Sequence, residues 1–163
     1  MTTIGSVVPA VKTALIDLWV ARSGLAEVQV RYDPPRRDAD LRAPHPDGRF
    51  DAVWFDQTTS VADLSVLGVG VKFDETAEIL VRVQSIRDDS AGTMSIVDTR
   101  AAEILGEIIT PVTDDPSIGV TVAGWNDVEV RYAGYSSDGG HLGDHPGHGV
   151  SLLARFDVIG RRC

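Results

Sequence analysis

The chain has 163 residues, of which 43% are hydrophobic and 24% are charged, and its formal net charge is −9 at pH 7. This length corresponds to one ordinary domain, and this composition excludes a disordered chain. The acidic balance argues against tight binding to nucleic acid, which needs a basic face. Apolar runs stop short of the ~20 residues that cross a bilayer, and the N-terminus lacks signal-peptide features. We therefore expect a soluble protein that stays in the compartment where it is made.

The first predicted elements are a helix and two short strands. An apolar stripe at spacings of three and four predicts a helix over residues 6–22, with Ser6 as its N-cap and Trp19 in the core. Period-two alternation predicts strands over residues 27–33 and 50–56. The proline-rich, polar residues 36–49 between them predict a long loop, and residues 60–74 give no clear prediction.

The second half of the chain contains the clearest strand and a second helix. Residues 77–87 are predicted to form a strand, because Ala77, Ile79, Val81 and Val83 alternate with residues 78, 80, 82 and 84, three of which are polar. A second helix is predicted from about residue 91 or 93 to residue 109, ending at Pro111. Closing strands are predicted at residues 120–125, 128–135 and 150–160. This order predicts an α+β fold for a single domain over residues 1–163, with a mostly antiparallel or mixed sheet covered by two helices.

A glycine-rich stretch, GGHLGDHPGHGV at residues 139–150, holds three of the four histidines. His141, Asp144, His145 and His148 carry atoms that bind zinc or nickel. Ordering so many ligands on a glycine-rich loop costs conformational entropy that no rigid scaffold offsets. We therefore interpret the stretch as an exposed or interface loop, and predict no metal, no cofactor and no catalytic residue. A metal site at these four residues is the alternative.

Other catalytic or nucleotide-binding motifs are missing from the sequence. The glycines at GVGVKFD lack the lysine and serine of a phosphate loop, and no serine stands in a glycine-flanked nucleophile elbow. The one cysteine, Cys163, is the last residue, so no internal disulfide forms and a catalytic thiol is not expected. Scattered carboxylates are interpreted as solvated charges.

Several phrases, in this order, resemble the tail terminator (tail completion) proteins of long-tailed phages. The N-terminal amphipathic helix is followed by VQVRYDPP, AVWFDQ, the alternating TAEILVRVQSI, the helical SIVDTRAAEILGEIIT, and then DDPSIG before the closing strands. The resemblance covers residues 6–158 and lies in the layout and in these phrases, without a diagnostic catalytic motif. Residues 36–49 and the histidine-rich loop carry no feature of the family.

The resemblance implies a structural virion protein without enzymatic activity. Proteins of this family form a homohexameric ring that caps the tail tube, stops its polymerisation and offers an attachment surface to the head-tail connector and neck proteins. Its implied place is the tail-neck junction of the virion, after assembly in the host cytoplasm, with phage DNA passing through the lumen without specific binding and with no membrane contact. The acidic balance suits such a channel.

Two parts of the chain are predicted to make the contacts of such a ring. The strand at residues 77–87 is expected to be an edge strand that pairs with a neighbouring subunit. The long loops at residues 36–49 and 136–149 are expected to contact the tube or the neck. The alternatives are another neck component, such as a head-tail connector or head-closure protein, a small metal-dependent enzyme using the histidine-rich loop, or a monomeric binding domain.

Overall fold

A computed structural model of the chain describes residues 5–35, 49–66, 71–87, 94–137 and 148–162. Its two α-helices are α1 (Val8–Val20) and α2 (Met94–Asp114), and a short 3-10 turn at Ser23–Leu25 follows α1. Five strands form one sheet: β1 (Gln29–Arg31), β2 (Arg49–Val66), β3 (Val71–Arg87), β4 (Asp127–Ser137) and β5 (His148–Arg162). Neither of these helices is long and apolar enough to cross a membrane.

The sheet has the order β1-β2-β3-β5-β4. β1 runs parallel to β2, whereas the β2–β3, β3–β5 and β5–β4 pairs are all antiparallel. The sheet is therefore mixed, and together with the two helices it confirms the predicted α+β class.

Both helices pack on one face of the sheet because each presents an apolar stripe at helical spacing. The stripe of α1 includes Val11, Leu15 and Trp19, and all three side chains are fully buried. The Trp19 indole donates a hydrogen bond of 3.1 Å to the carbonyl of Ile108 in α2, so the two helices are joined by a polar contact within the core. The prediction that Trp19 belongs to the core is confirmed, and burying such a side chain contributes roughly 1.5–3 kcal/mol.

The N-terminus of α1 is held by a carboxylate from the sheet. Glu75 of β3 is buried, and its two oxygens accept hydrogen bonds from the Ser6 hydroxyl at 2.6 Å, the Ser60 hydroxyl at 2.7 Å and the Val7 amide at 2.9 Å. The prediction that Ser6 is the N-cap is wrong, because Val7 occupies that position and has no side-chain cap hydrogen bond. Ser6 lies one residue earlier, where its hydroxyl accepts a hydrogen bond from the amide of Val8 at 3.1 Å. A negative charge at this position also complements the helix dipole.

Three sequence predictions are wrong about the extent of elements. β2 and β3 are 18 and 17 residues long and pair along their whole length, so most of the unassigned residues 60–74 belong to strands. The predicted strand at residues 120–125 is a region of turns, with Gly124 at a positive φ of 86°. The second helix continues through Pro111 to Asp114, because a single proline removes only one intrahelical hydrogen bond.

The prediction that residues 77–87 form an edge strand is also wrong. These residues form most of β3, which pairs with β2 on one side and with β5 on the other. Their backbone groups are therefore used within the chain and cannot pair with a neighbouring subunit. The predicted burial of Ala77, Ile79, Val81 and Val83 is nevertheless confirmed.

Candidate assembly surfaces

The histidine-rich stretch is only partly described. His141, Asp144 and His145 lie outside the described residues, so the metal hypothesis stays a prediction for three of its four ligands. His148 is the first residue of β5 and is paired in register with Arg87 of β3. Its Nδ1 atom is buried and has no hydrogen-bond partner in the described part of the chain. Within the described ranges, no group of three or more histidine, cysteine, aspartate or glutamate side chains could hold a metal ion.

A buried ionic cluster lies at the same end of the sheet as His148. We call this end, where Arg49, Arg87 and His148 are paired across β2, β3 and β5, the Arg87 end. Asp51 accepts hydrogen bonds from Arg87 at 2.9 Å, from the Ser85 hydroxyl at 2.7 Å and from Arg100 of α2 at 3.1 Å. The cluster joins the first turns of α2 to two strands of the sheet.

The contacts of Asp51 keep this carboxylate ionised. Burial alone raises its pKa, but the hydrogen bonds from Arg87 and Ser85, the charge of Arg87 and the hydrogen bond from Arg100 outweigh that effect. The pKa of Asp51 therefore lies below its usual value. Because both oxygens already accept hydrogen bonds from cationic groups, this carboxylate is unsuited to act as a general base. The cluster is consequently a structural anchor, and sequence analysis did not identify it.

The Arg87 end is also where both predicted contact loops meet the sheet. The loop at residues 36–49 ends at Arg49, the loop at residues 136–149 reaches β5 at His148, and both of these residues are in register with Arg87. The segment between β3 and α2 leaves the sheet at the same end. The ionic cluster therefore fixes the positions of the strand ends that carry these segments.

Besides the outer side of the three-residue β1, the sheet has two strand edges that pair with no other strand of the described chain. On the outer side of β2, β1 covers only Ala52, Val53 and Trp54, so the remainder of β2 up to Val66 has one open side. On β4, only the side facing β5 is paired. The outward amide of Val130 donates to the carbonyl of Pro116 at 2.7 Å, which closes part of that edge. Exposed apolar side chains accompany both open stretches: Val61 on β2 is 60% exposed and Tyr135 on β4 is 59% exposed.

The face of the sheet opposite the helices carries charged and polar side chains over its middle, whereas Phe50, Ala52 and Trp54 form a second buried apolar cluster with Ile86 towards the Arg87 end. Arg82 contacts Asp56 at 2.6 Å, and Arg155 lies 3.5 Å from both Glu78 and Asp157. A shallow groove of about 380 Å³ crosses this face near the open part of β2, and its lining residues are Thr59, Val61, Thr76, Ala77, Glu78, Asp157, Val158 and Ile159. The groove lacks the convergent polar groups of a small-molecule site.

Comparison with known proteins gives a likeness at the level of fold. No protein-family model matches the chain, and no curated protein matches it. Among solved structures, the chain is similar to a chain from the "Virion of native gene transfer agent (GTA) particle", with a TM-score of 0.56 and 13% sequence identity. The alignment covers 97% of this chain and 99% of that chain. The two proteins therefore share the whole fold, from end to end.

Proposed function

We propose that this chain is a structural protein of a phage-like virion, and specifically a tail terminator. In this role it forms a homohexameric ring that caps the tail tube, stops tube polymerisation and offers an attachment surface to head-tail connector proteins. The observation that carries the proposal is the end-to-end likeness to a chain of a gene transfer agent virion, at nearly equal lengths. The resemblance of the ordered sequence phrases to the tail terminator family supports the finer assignment.

The described surfaces fit a protein that acts by contact. The buried ionic cluster holds two strands and a helix together, because Asp51 accepts hydrogen bonds from Arg87, Ser85 and Arg100. The loops at residues 36–49 and 136–149, which both meet the sheet at the Arg87 end, are proposed to contact the tube or the neck. A net charge of −9 per copy would keep DNA moving through the lumen without specific binding. The proposed place of the protein is the tail-neck junction of the virion, with no enzymatic activity.

The test combines oligomer mass with an effect on tube growth. The chain alone has a mass of 17.5 kDa, so a hexamer has six times that mass, about 105 kDa. We expect a ring of this mass on the end of tubes assembled from the cognate tail tube protein, and a narrower distribution of tube lengths when the chain is added during polymerisation. An unrelated acidic protein of similar size is the control for non-specific effects on assembly.

Three results would change the assignment. A twelvefold ring, about 210 kDa from the same 17.5 kDa chain, would favour a connector that lies next to the head. Tube lengths and tube ends that are unchanged by the chain would contradict the terminator proposal. A metal-loaded monomer, measured as about one zinc or nickel ion per chain on the same sample, would favour the metal-dependent alternative at the histidine-rich loop.

A further inference from the structure

We infer that neighbouring copies of the chain join by pairing the open edge of β4 in one copy with the open edge of β2 in the next. This inference deepens the proposed function, because it rests on the proposed ring and names the surfaces that build it. The inference concerns residues 57–62 of β2, QTTSVA, which lie within its open side between Asp56 and Asp63, and residues 133–137 of β4, AGYSS. They are of similar length and lie on the two outer sides of the same sheet.

Each stretch offers backbone groups that no other strand of the described chain uses. β1 stops opposite Trp54, so it leaves the outer side of β2 uncovered from the following residues onward. On β4, the contact between Val130 and Pro116 closes only the first half of the strand. A β-bulge precedes each open stretch, between Phe55 and Thr58 in β2 and between Tyr132 and Gly134 in β4. Each bulge bends its strand, so the open stretch runs in a different direction from the paired part of the same strand.

Neither stretch carries the residues by which edges are usually protected. Soluble proteins place lysines, other charges or prolines on exposed edges because unpaired backbone groups attract other strands. Residues 57–62 and 133–137 contain no charged residue and no proline. They contain instead Thr58, Thr59, Val61 and Tyr135, which are residue types that favour strands. The side chains of Thr59, Val61 and Tyr135 are exposed.

The lack of charge within these two stretches allows a second copy of the same acidic chain to be their partner. Two copies with a net charge of −9 each repel one another, so they can approach closely only where the contact surface is itself uncharged. The two open stretches are uncharged, whereas the helix-free face beside them carries Glu78, Arg155 and Asp157. An edge-to-edge contact therefore brings copies together without placing like charges opposite each other.

The two edges differ, and this difference fixes the type of assembly. A contact between β4 of one copy and β2 of the next is heterologous, so each bound copy still has one open edge of each kind. Such a contact continues from copy to copy until the ring closes and every edge is paired. A two-fold contact between two β4 edges would stop at a dimer and would leave both β2 edges open.

Two variants, each blocked at one edge, test the inference. Val61→Lys places a charge on the β2 edge, and Tyr135→Lys places one on the β4 edge. Both side chains are largely exposed, so folding should be preserved, as far-ultraviolet circular dichroism and thermal unfolding would verify. The matched control is Val20→Lys, which changes a 63% exposed valine that lies on α1 and belongs to neither strand edge. The readout is mass as a function of concentration, by light scattering and sedimentation.

We expect each edge variant to shift the assembly midpoint to at least about tenfold higher concentration, with Val20→Lys behaving as the wild type. An equal mixture of the two edge variants should form a dimer and nothing larger, because one intact β4 edge meets one intact β2 edge. That dimer has twice the 17.5 kDa mass of one chain, about 35 kDa.

Other outcomes overturn the inference and are distinguishable from failure of the proposed function. If both edge variants assemble as the wild type does, or if the mixture stays monomeric while the wild type assembles, the copies join by other surfaces and a ring remains possible. If only Tyr135→Lys blocks assembly, the contact is between two β4 edges. A wild-type chain that stays monomeric at ~1 mM also contradicts edge pairing, whereas the terminator proposal is judged separately by tube lengths.

Discussion

Replacing Asp51 with alanine tests whether the buried ionic cluster holds the Arg87 end of the sheet together. The substitution removes the acceptor for Arg87, for the Ser85 hydroxyl and for Arg100. The Arg87 side chain is only 9% exposed, so water cannot replace the lost carboxylate there, whereas Arg100 at 24% exposure regains part of its hydration. Alanine therefore leaves one buried guanidinium without its counter-charge.

The expected loss in the free energy of unfolding is about 3 kcal/mol. Removing one partner of a buried ion pair costs ~3–5 kcal/mol, and the partial exposure of Arg100 places this case at the lower end. For a domain of this length, that loss lowers Tm by roughly 6–12 °C. Replacing the three charged residues together, as Asp51→Leu, Arg87→Met and Arg100→Met, should cost only about 1–2 kcal/mol, because no buried charge then remains unpaired and only the neutral, buried Ser85 hydroxyl loses its acceptor. Glu103, which loses its contact with Arg100, is 58% exposed and stays hydrated.

Urea unfolding at pH 7, followed by circular dichroism, measures both variants against the wild type. The control is Asp127→Ala, which breaks an exposed ion pair with Arg161 at 2.8 Å and should cost ~1 kcal/mol or less. The reasoning is refuted if Asp51→Ala costs no more than Asp127→Ala. It is also refuted if the triple variant is as unstable as Asp51→Ala, since the loss would then come from packing and not from an uncompensated charge.

Three further outcomes follow from the described contacts. The folded-state pKa of Asp51 is lowered, so its contribution to stability is complete above the unfolded pKa of ~3.9 and is lost as pH falls through the folded value. In urea unfolding, the stability difference between the wild type and Asp51→Asn should therefore hold from pH 7 to about 5 and shrink below about 4. A difference that stays constant down to about pH 3 would contradict this. Glu75→Gln should lower the free energy of unfolding by about 2 kcal/mol in thermal unfolding, since a neutral amide caps α1 poorly. The control Glu78→Gln, at a residue that is 41% exposed, should change it by less than about 0.5 kcal/mol. Equal effects of the two substitutions would rule out the capping role. Gly160→Ala should lower Tm by roughly 2–4 °C, because the added Cβ lies 3.1 Å from the buried Trp125 ring, and an unchanged or higher Tm would show that the ring moves freely.

Local patterns predicted the elements whose burial follows a simple period. The odd-numbered side chains of β3, such as Val81 and Val83, are buried as their alternation predicts, and the stripe of α1 is buried as its helical spacing predicts. Both patterns succeed because one face of each element packs on a single core. The length of the hairpin was not predictable in the same way. Residues 58–66 of β2 lie beyond the end of β1 and pair only with residues 71–79 of β3, and their sequence shows no simple alternation that would have marked them as a strand.

The order of strands in the sheet is a further property that local patterns do not contain. β3 was expected at an edge, yet β5, which lies more than sixty residues further along the chain, pairs with its free side from Phe73 to Arg87. The alternation of apolar and polar residues shows which face of a strand is buried, but it does not show which strands lie beside it. Neighbouring strands pair through backbone N–H and C=O groups, which are the same in every strand. The open edges could therefore be located only from the folded chain.

The ionic cluster left a partial signal in the sequence. Asp51 occupies the buried-face register of β2, together with Val53 and Phe55, and Arg87 occupies the same register as Val81 and Val83 in β3. A charge at a buried-face position requires a partner, which the sequence could have indicated. That the partners are each other, with Arg100 of α2 as a third, depends on tertiary packing.

The position of His148 bears on the metal hypothesis even though its proposed co-ligands are not described. His148 is paired directly opposite Arg87, and side chains in such positions have Cβ atoms only about 5 Å apart. A divalent metal ion bound to His148 would therefore lie close to the positively charged guanidinium of Arg87. The carboxylate that pairs with this guanidinium, Asp51, is already shared with Arg100. Repulsion of this kind weakens metal binding unless Asp144 and further anionic ligands offset it.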